Sequence, residues 1–141
     1  MSARLPALLL IALLAMVACD SPTGATGDAV DVTGSWKFEA SQTGSALRID
    51  GTLVLAEQEG SAFTGSLQIR EVDAQGIAHI RSGLVTGQML DGMTMDFDAL
   101  LDDAARRHVG TLRGDSVSGS WLQAEGSASI NGRFTATRTS P

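Results

Sequence analysis

The chain has 141 residues, of which 16 are acidic and 10 basic, and its formal net charge is −6 at pH 7. A chain of this length typically forms one domain, and a hydrophobic fraction of 43% with 18% charged residues is not the composition of a disordered protein. The acidic balance, without a cluster of Lys and Arg, argues against binding to nucleic acid or to anionic lipid head groups.

The first 19 residues have the pattern of an export signal. Arg4 gives a positively charged start, and residues 5–18 are apolar throughout, which is shorter than the ~20 residues needed to span a bilayer. The run ends in Met16-Val17-Ala18-Cys19, which resembles the lipobox of bacterial lipoproteins, with Met16 where Leu is commoner. The resemblance implies that residues 1–18 are a helical lipoprotein signal peptide and that Cys19 becomes the first residue. An ordinary cleaved signal peptide and an uncleaved N-terminal anchor stay open as alternatives.

The same resemblance implies that the Cys19 thiol carries a diacylglyceryl group and that its new amino group carries a further acyl chain such as palmitate. Cys19 is the single cysteine of the chain, so it has no intramolecular disulfide partner, and acylation accounts for it. Two or more acyl chains hold a protein stably on a bilayer, whereas one does so only marginally. We therefore expect a lipid-anchored protein of the bacterial cell envelope, with its domain outside the cytoplasm. Asp20 is similar to an inner-membrane retention signal, but the choice between inner and outer membrane stays open.

Residues 19–30 are predicted to be a flexible tether. The segment from Asp20 to Val30 is small and polar and contains Gly and Pro. Fully extended, these residues reach at most about 35–40 Å. The domain of residues 31–141 would therefore remain close to the membrane.

From Asp31 onwards, apolar residues alternate with polar ones with a period of two, which predicts β-strands. The first strand places Val32, Trp36, Phe38 and Ala40 on one face. Further strands are predicted around residues 47–56, 63–70, 93–99, 107–113, 116–123 and 128–136. The segment 77–89 is interpreted as either one long strand or two pieces. The segment 100–106 is interpreted as a helical turn or a wide loop.

A short motif of an apolar residue, a small polar residue, Gly, any residue and an apolar residue recurs along these strands. It is clearest in Val32-Thr33-Gly34-Ser35-Trp36 and in Val117-Ser118-Gly119-Ser120-Trp121. Glycine on an inward face lets a strand bend and leaves space for bulky neighbours. About eight sequential strands with one apolar face each predict an all-β fold, an antiparallel up-and-down barrel, with a two-sheet β-sandwich as the alternative.

The pieces Thr33-Gly34-Ser35-Trp36 and Ser118-Gly119-Ser120-Trp121 are similar to the opening and a late strand of avidin-like and lipocalin-like eight-stranded barrels. The resemblance implies the barrel shape and an interior that holds a ligand. Avidin-type biotin sites use Tyr and several Trp side chains, whereas this chain has no Tyr and two Trp. The resemblance therefore does not imply biotin binding.

The residues that could line an apolar pocket are few and lie on the predicted inward face. Methionine adapts to varied ligand shapes, and aromatic rings supply apolar area. The alternative role of all of them is plain core packing. The candidate lining residues are Trp36, Phe38, Met89, Met93, Met95, Phe97 and Trp121.

Catalytic and metal-binding patterns are not recognisable in the sequence. His79 and His108 are the only histidines and have no cysteine nearby, and His79 is expected on the surface. Asp96, Asp98 and the pair Asp102-Asp103 crowd one region, but no complete Asp-rich calcium loop is present, so a solvated face is expected. We therefore expect no enzyme activity, no metal site and no cofactor.

The sequence predicts a membrane-anchored envelope lipoprotein with a small β-barrel that binds a small apolar ligand. The alternative is an accessory lipoprotein with a structural or protein-interaction role and no ligand. In both cases the bilayer is a partner through acylated Cys19, and an envelope protein is a further candidate partner.

Overall fold

The computed structural model describes residues 30–140, and they form a closed antiparallel barrel of eight strands. The strands are β1 (Gly34–Gln42), β2 (Arg48–Glu59), β3 (Ala62–Val72), β4 (Ala78–Leu90), β5 (Thr94–Leu101), β6 (Ala104–Arg113), β7 (Ser116–Glu125) and β8 (Ala128–Ser140). The predicted signal peptide, Cys19 and residues 20–29 of the tether lie outside the described residues. No helix within residues 30–140 is long and apolar enough to cross a membrane.

Each strand pairs with the next one along the chain, and β1 also pairs with β8, which closes the sheet. In that closing ladder Phe38 lies opposite Ala136 and Ala40 lies opposite Phe134. The prediction of an up-and-down barrel is therefore confirmed, and the alternative of a two-sheet sandwich is wrong.

The strand alternation divides the side chains between an interior and an outer wall. Along β3, for example, Phe63, Leu67 and Ile69 are buried, whereas Thr64 and Ser66 are exposed. The buried apolar residues of all eight strands, together with Val32, form one continuous core. The protein therefore has a packed interior of aromatic and aliphatic side chains.

The recurrent glycines allow the strands to approach closely on the inner side of the barrel. A Cβ atom on Gly65 would collide with the carbonyl oxygen of Val54, and one on Gly119 would collide with that of Val109. Backbone atoms cannot move aside as a flexible side chain could. The interpretation of the motif as a device for curvature agrees with these contacts.

Two segments that were uncertain in the sequence are resolved as strands. The segment 77–89 lies almost wholly in the single strand β4. The prediction of a helical turn or wide loop over residues 100–106 is wrong, because β5 runs to Leu101 and β6 begins at Ala104. A two-residue turn joins them, in which Asp102 and Asp103 have φ of 46° and 70°. Positive φ at both central residues is the geometry of a tight hairpin, which Asp tolerates better than most residues.

Candidate functional site

The candidate site is the barrel interior with its two ends. We call the end with the turns β1–β2, β3–β4, β5–β6 and β7–β8 the upper end, and the opposite end, where the chain enters at Val30, the lower end. Of the candidate lining residues, six are buried in the interior: Trp36, Phe38, Met89, Met95, Phe97 and Trp121. Met93, which the alternation placed on the inward face, instead lies in the β4–β5 turn and is 59% exposed.

The interior residues fill the barrel by packing against one another. Phe38 stacks on Phe134 with ring centroids 5.7 Å apart, and Phe97 contacts Phe63 edge to face at 6.3 Å. The more spacious concavities, of about 470 and 420 Å³, are open and lie on the outer wall. A chamber for a drug-sized ligand needs roughly 300 Å³ or more of enclosed space. The described interior is therefore a core rather than a preformed ligand chamber.

A short segment of main chain closes the lower end. Val32 is fully buried beneath the barrel, and its amide donates to Gln58 Oε1 at 2.8 Å. The Gln58 amide group donates in turn to the Val30 carbonyl oxygen at 2.9 Å. The indole of Trp36 donates to the Val32 carbonyl oxygen at 3.1 Å, and Arg138 lies over the Trp36 ring at 4.7 Å. We call residues Val30–Thr33 the lower strap.

Charged side chains close the upper end. Glu71 of β3 and Arg106 of β6 both point inward, and their carboxylate and guanidinium meet at 2.9 Å. These strands are not neighbours in the barrel, so the ion pair spans the interior. Arg106 Nε also donates to Gln123 Oε1 at 3.0 Å, and its guanidinium lies over the Trp121 ring at 4.5 Å. We call Glu71, Arg106 and Gln123 the upper latch.

Arg81 joins the upper latch from the rim. Its Nε donates to the second carboxylate oxygen of Glu71 at 2.8 Å, and its guanidinium lies 3.8 Å from Asp102. Burial alone would raise the pKa of Glu71, but the hydrogen bonds from Arg106 and Arg81 outweigh burial and hold that pKa below its ordinary value. Glu71 is therefore ionised at neutral pH and is shared between two arginines.

His108 occupies the centre of the interior. Its imidazole is fully buried, stacks on Phe97 at 4.6 Å and meets the edges of Phe134 at 5.2 Å and Phe38 at 5.7 Å. Neither of its ring nitrogens has a hydrogen-bond partner among the described residues. Burial, assisted by the positive charge of Arg106, outweighs a weak interaction with the Arg106 main chain and lowers the pKa of His108 to about 3. The ring is therefore neutral at physiological pH.

The polar residues of the interior were not predicted from the sequence. The sequence pattern placed Arg106 in a loop and gave Glu71, His108 and Gln123 no inward role. A signal was nonetheless present, because Arg106 and His108 continue the inward alternation of Gly110 and Leu112. Glu71 likewise continues the inward series that ends at Ile69.

The aspartates and His79 lie outside the barrel or on its rim. His79 is exposed, as predicted. Arg107 binds both carboxylate oxygens of Asp96 on the outer wall, at 3.0 and 2.7 Å, and this lowers the pKa of Asp96. Asp98, Asp102 and Asp103 are exposed. Within residues 30–140, no group of three or more His, Cys, Asp or Glu side chains is placed to hold a metal ion.

The outer wall carries an uncharged row across β2 to β6. Val54 pairs with Ser66, Ser66 with Leu84, Leu84 with Leu100, and Leu100 with Ala105. Leu84 is 71% exposed and Leu100 is 49% exposed. Because these two leucines are direct cross-strand neighbours, they form a contiguous apolar surface, which we call the leucine patch.

Comparisons with known proteins support the fold. The chain is similar to EF1p2_mFAP2b bound to DFHBI, with a TM-score of 0.62 and 11% identity over 76% of this chain and 93% of that one. It is similar to a redesigned β-barrel, mFAP1, bound to DFHBI, with a TM-score of 0.59 and 10% identity over 75% and 94% of the two chains. It is also similar to bradavidin2 in a complex with biotin, with a TM-score of 0.53 and 16% identity over 79% and 100%. No protein-family model and no curated protein sequence matches the chain. At these identities the likeness concerns the barrel fold, and it agrees with the resemblance to avidin-like barrels.

The upper latch leads to a prediction about stability. The substitution Glu71→Leu leaves the buried Arg106 guanidinium without its carboxylate, and we expect it to lower the free energy of unfolding by about 3–5 kcal/mol. The double variant Glu71→Leu/Arg106→Met replaces both charges by apolar groups, and we expect it to unfold within about 1 kcal/mol of the wild type. Urea denaturation followed by tryptophan fluorescence measures both values. The exposed pair Asp50–Arg70 is the control, since Asp50→Leu should change stability by less than about 1 kcal/mol. A double variant as unstable as the single one would contradict the prediction.

His108 leads to a prediction about pH. The pKa of His108 is lower in the folded protein than the 6.5 of a free histidine, so below pH 6.5 the unfolded chain binds a proton at this residue that the folded chain does not bind. The contribution of neutral His108 to the free energy of unfolding is therefore fully present above pH 6.5, and below that pH it falls by about 1.4 kcal/mol per pH unit. Glu71 and Asp96 also have lowered pKa values, but their contribution is lost only below their unfolded values of 4.5 and 3.8. The interval from pH 6.5 to about 5 therefore isolates His108, with an expected loss of roughly 2 kcal/mol.

Urea unfolding at the two pH values measures this loss. The variant His108→Gln should show little change over the interval, whereas His79→Gln should keep the wild-type slope. A slope that persists in His108→Gln would show that another group titrates.

Proposed function

We propose that the protein is a lipid-anchored accessory lipoprotein of the bacterial cell envelope whose barrel is a protein-interaction module that binds a partner through its outer wall. The observation that carries the proposal is the contrast between the filled interior and the exposed leucine patch. Trp36, Phe97 and Trp121 lie within the interior packing, whereas Leu84 and Leu100 expose apolar surface. Exposed apolar side chains that adjoin one another are candidate contact surface for a partner, and the indication strengthens with the size of the patch.

The leucine patch suits a partner that presents apolar side chains. A closed barrel has no free strand edge, so a partner cannot bind by adding a strand and must contact side chains instead. The row from Val54 through Ser66 to Leu84, Leu100 and Ala105 contains no charge that association would desolvate without compensation. Burying an exposed leucine stabilises a complex by about 1.5–3 kcal/mol.

The lipid anchor supplies the location of this module. The Met16-Val17-Ala18-Cys19 motif supports attachment to a membrane, and residues 20–29 then lead to the lower strap at Val30. A module on a short tether meets membrane partners at a high effective concentration, which favours modest interfaces. No catalytic role is needed in this proposal.

A small apolar ligand in the interior is the second candidate function. The free ring nitrogens of His108 favour it, since a ligand that donates a hydrogen bond could engage them after the interior residues rearrange. Two of the similar barrels, EF1p2_mFAP2b bound to DFHBI and bradavidin2 in its complex with biotin, also favour it. The Phe97, Phe38 and Phe134 rings that now surround His108 would have to move for such a ligand.

The leucine patch is tested by site-specific photocrosslinking in the native envelope. A photoreactive phenylalanine analogue at position 84 or 100 should capture a discrete partner, and the same analogue at exposed Thr135 on the opposite wall should not. The substitution Leu100→Glu should weaken crosslinking from position 84 by about tenfold or more. Because Leu100 is exposed, the substitution Leu100→Glu should change the free energy of unfolding by less than about 0.5 kcal/mol.

Three results separate the proposal from its alternatives. Equal capture from positions 84 and 135 would refute an interface at the leucine patch. A crosslinked product containing only this chain would identify a second copy as the occupant. Saturable binding of Nile red to the purified protein that is unchanged in Leu84→Glu would favour the interior ligand.

The lipid anchor is tested by the substitution Cys19→Ser. Without the thiol no diacylglyceryl group can attach, so we expect the protein to leave the membrane fraction. Cell fractionation with immunoblotting measures the distribution, and metabolic labelling with a radioactive fatty acid measures acylation. Continued membrane association of Cys19→Ser would contradict lipidation and favour the uncleaved anchor.

A further inference from the structure

His108 is a buried titratable group that the proposed function does not use. It lies in an aromatic surround, and neither ring nitrogen makes a well-formed hydrogen bond with any of the described residues. A protonated imidazole there would need a carboxylate or water, and the packed interior supplies no route to water. Protonation therefore requires the barrel to change locally or to unfold.

The charged groups nearest His108 lie at the upper end, so protonation of His108 should affect the upper end first. Arg106 lies on the same face of β6 as His108, two residues closer to the upper end. A proton on the imidazole therefore adds a second positive charge directly beneath the upper latch. Within residues 30–140, the only inward carboxylate near them is that of Glu71, and it is already shared by Arg106 and Arg81. Outside this group, exposed His79 lies opposite Glu71 on the rim, and Arg138 lies at the lower end on β8. On the packing strands β1, β5 and β7, the described charged residues point outward or lie at the strand ends.

The two ends differ in what holds them closed. The lower strap is held by hydrogen bonds from and to its main chain at Val30, Asp31 and Val32 and by the buried Val32 side chain. One of these bonds comes from a charged group, since the Arg138 guanidinium donates to the Asp31 carbonyl oxygen at 2.6 Å. The upper latch consists of side chains alone, joined by one carboxylate, and its contacts depend directly on charge. Repulsion from a new cation would therefore separate the upper latch before it affected the lower strap.

We propose that His108 is an acid-sensitive switch whose protonation separates Glu71, Arg106 and Gln123 and opens the upper end of the barrel while the lower end stays closed. The open state lets water reach the imidazolium and the freed guanidinium of Arg106. This switch acts inside the barrel and does not depend on the partner of the leucine patch. Opening of the upper end alone distinguishes this switch from general acid unfolding, in which both ends would open together.

The two tryptophans of the chain can report the two ends separately. Trp121 lies beneath Arg106 at the upper latch, and Trp36 is hydrogen-bonded to the lower strap. The variant Trp36→Phe leaves only Trp121, and Trp121→Phe leaves only Trp36. In the full-length protein in detergent, acrylamide quenching measures the access of a neutral small molecule to each indole, and circular dichroism measures the sheet content.

Between about pH 5 and pH 4, below the interval in which the closed protein does not take up the proton, the quenching constant of Trp121 should rise roughly threefold or more, while that of Trp36 and the circular dichroism stay constant. Adding His108→Gln, which carries no titratable ring, should abolish the rise. The matched variant His79→Gln, which removes the other histidine, should retain it. His108→Phe is the second variant for the case in which Gln does not fold at this site.

Four outcomes would overturn the switch. A simultaneous rise for both tryptophans would indicate global unfolding, and no rise for Trp121 would indicate a sealed upper end. A rise that persists in both His108 variants would assign the response to another group such as Glu71. A rise that disappears in His79→Gln would assign it to the rim.

Discussion

The ladder between β1 and β8 is the constraint on which the rest of the structure depends. Once Phe38 and Ala136 face each other across that ladder, every strand has two neighbours and the sheet has an inside. An eight-stranded barrel is just wide enough for its own side chains, so each inward residue must fit against those of the other strands. Glycines make room for the aromatic rings, since Gly110 and Gly119 lie opposite each other and a Cβ atom on Gly110 would collide with the Phe134 ring.

The same closure explains why the polar residues lie where they do. Glu71, Arg106 and Gln123 are inward residues near strand ends, where the core meets solvent. An ion pair at this depth adds little net stability compared with apolar residues of the same size. Its charges fix which side chains meet across the opening, and the neutral His108 lies just beneath them.

The sequence predicted the barrel because most of its strands alternate clearly between apolar and polar residues. It failed at residues 100–106, since the turn there consists of Asp102 and Asp103 rather than a glycine pair, and two adjacent aspartates at positive φ are not a strong turn signal. It placed Met93 inward because the alternation of β5 was extended by one residue, from Thr94 back into the turn. The polar interior was not found, because an inward Arg106 or His108 interrupts the apolar pattern by which inward positions are recognised. Only the closed barrel, in which β3 and β6 face each other across the interior, brings the Glu71 carboxylate to Arg106.

The lower strap also determines how the molecule bears a mechanical load. A pull on the chain before Val30 acts first on the buried Val32 and on the hydrogen bonds of Gln58, and only then on the β1–β2 and β1–β8 ladders. The strap must be drawn out of the core before the force can peel β1 from its neighbours. Tension on the chain before Val30 is therefore taken up at the lower end, and the upper end and the outer wall keep their shape while the strap holds.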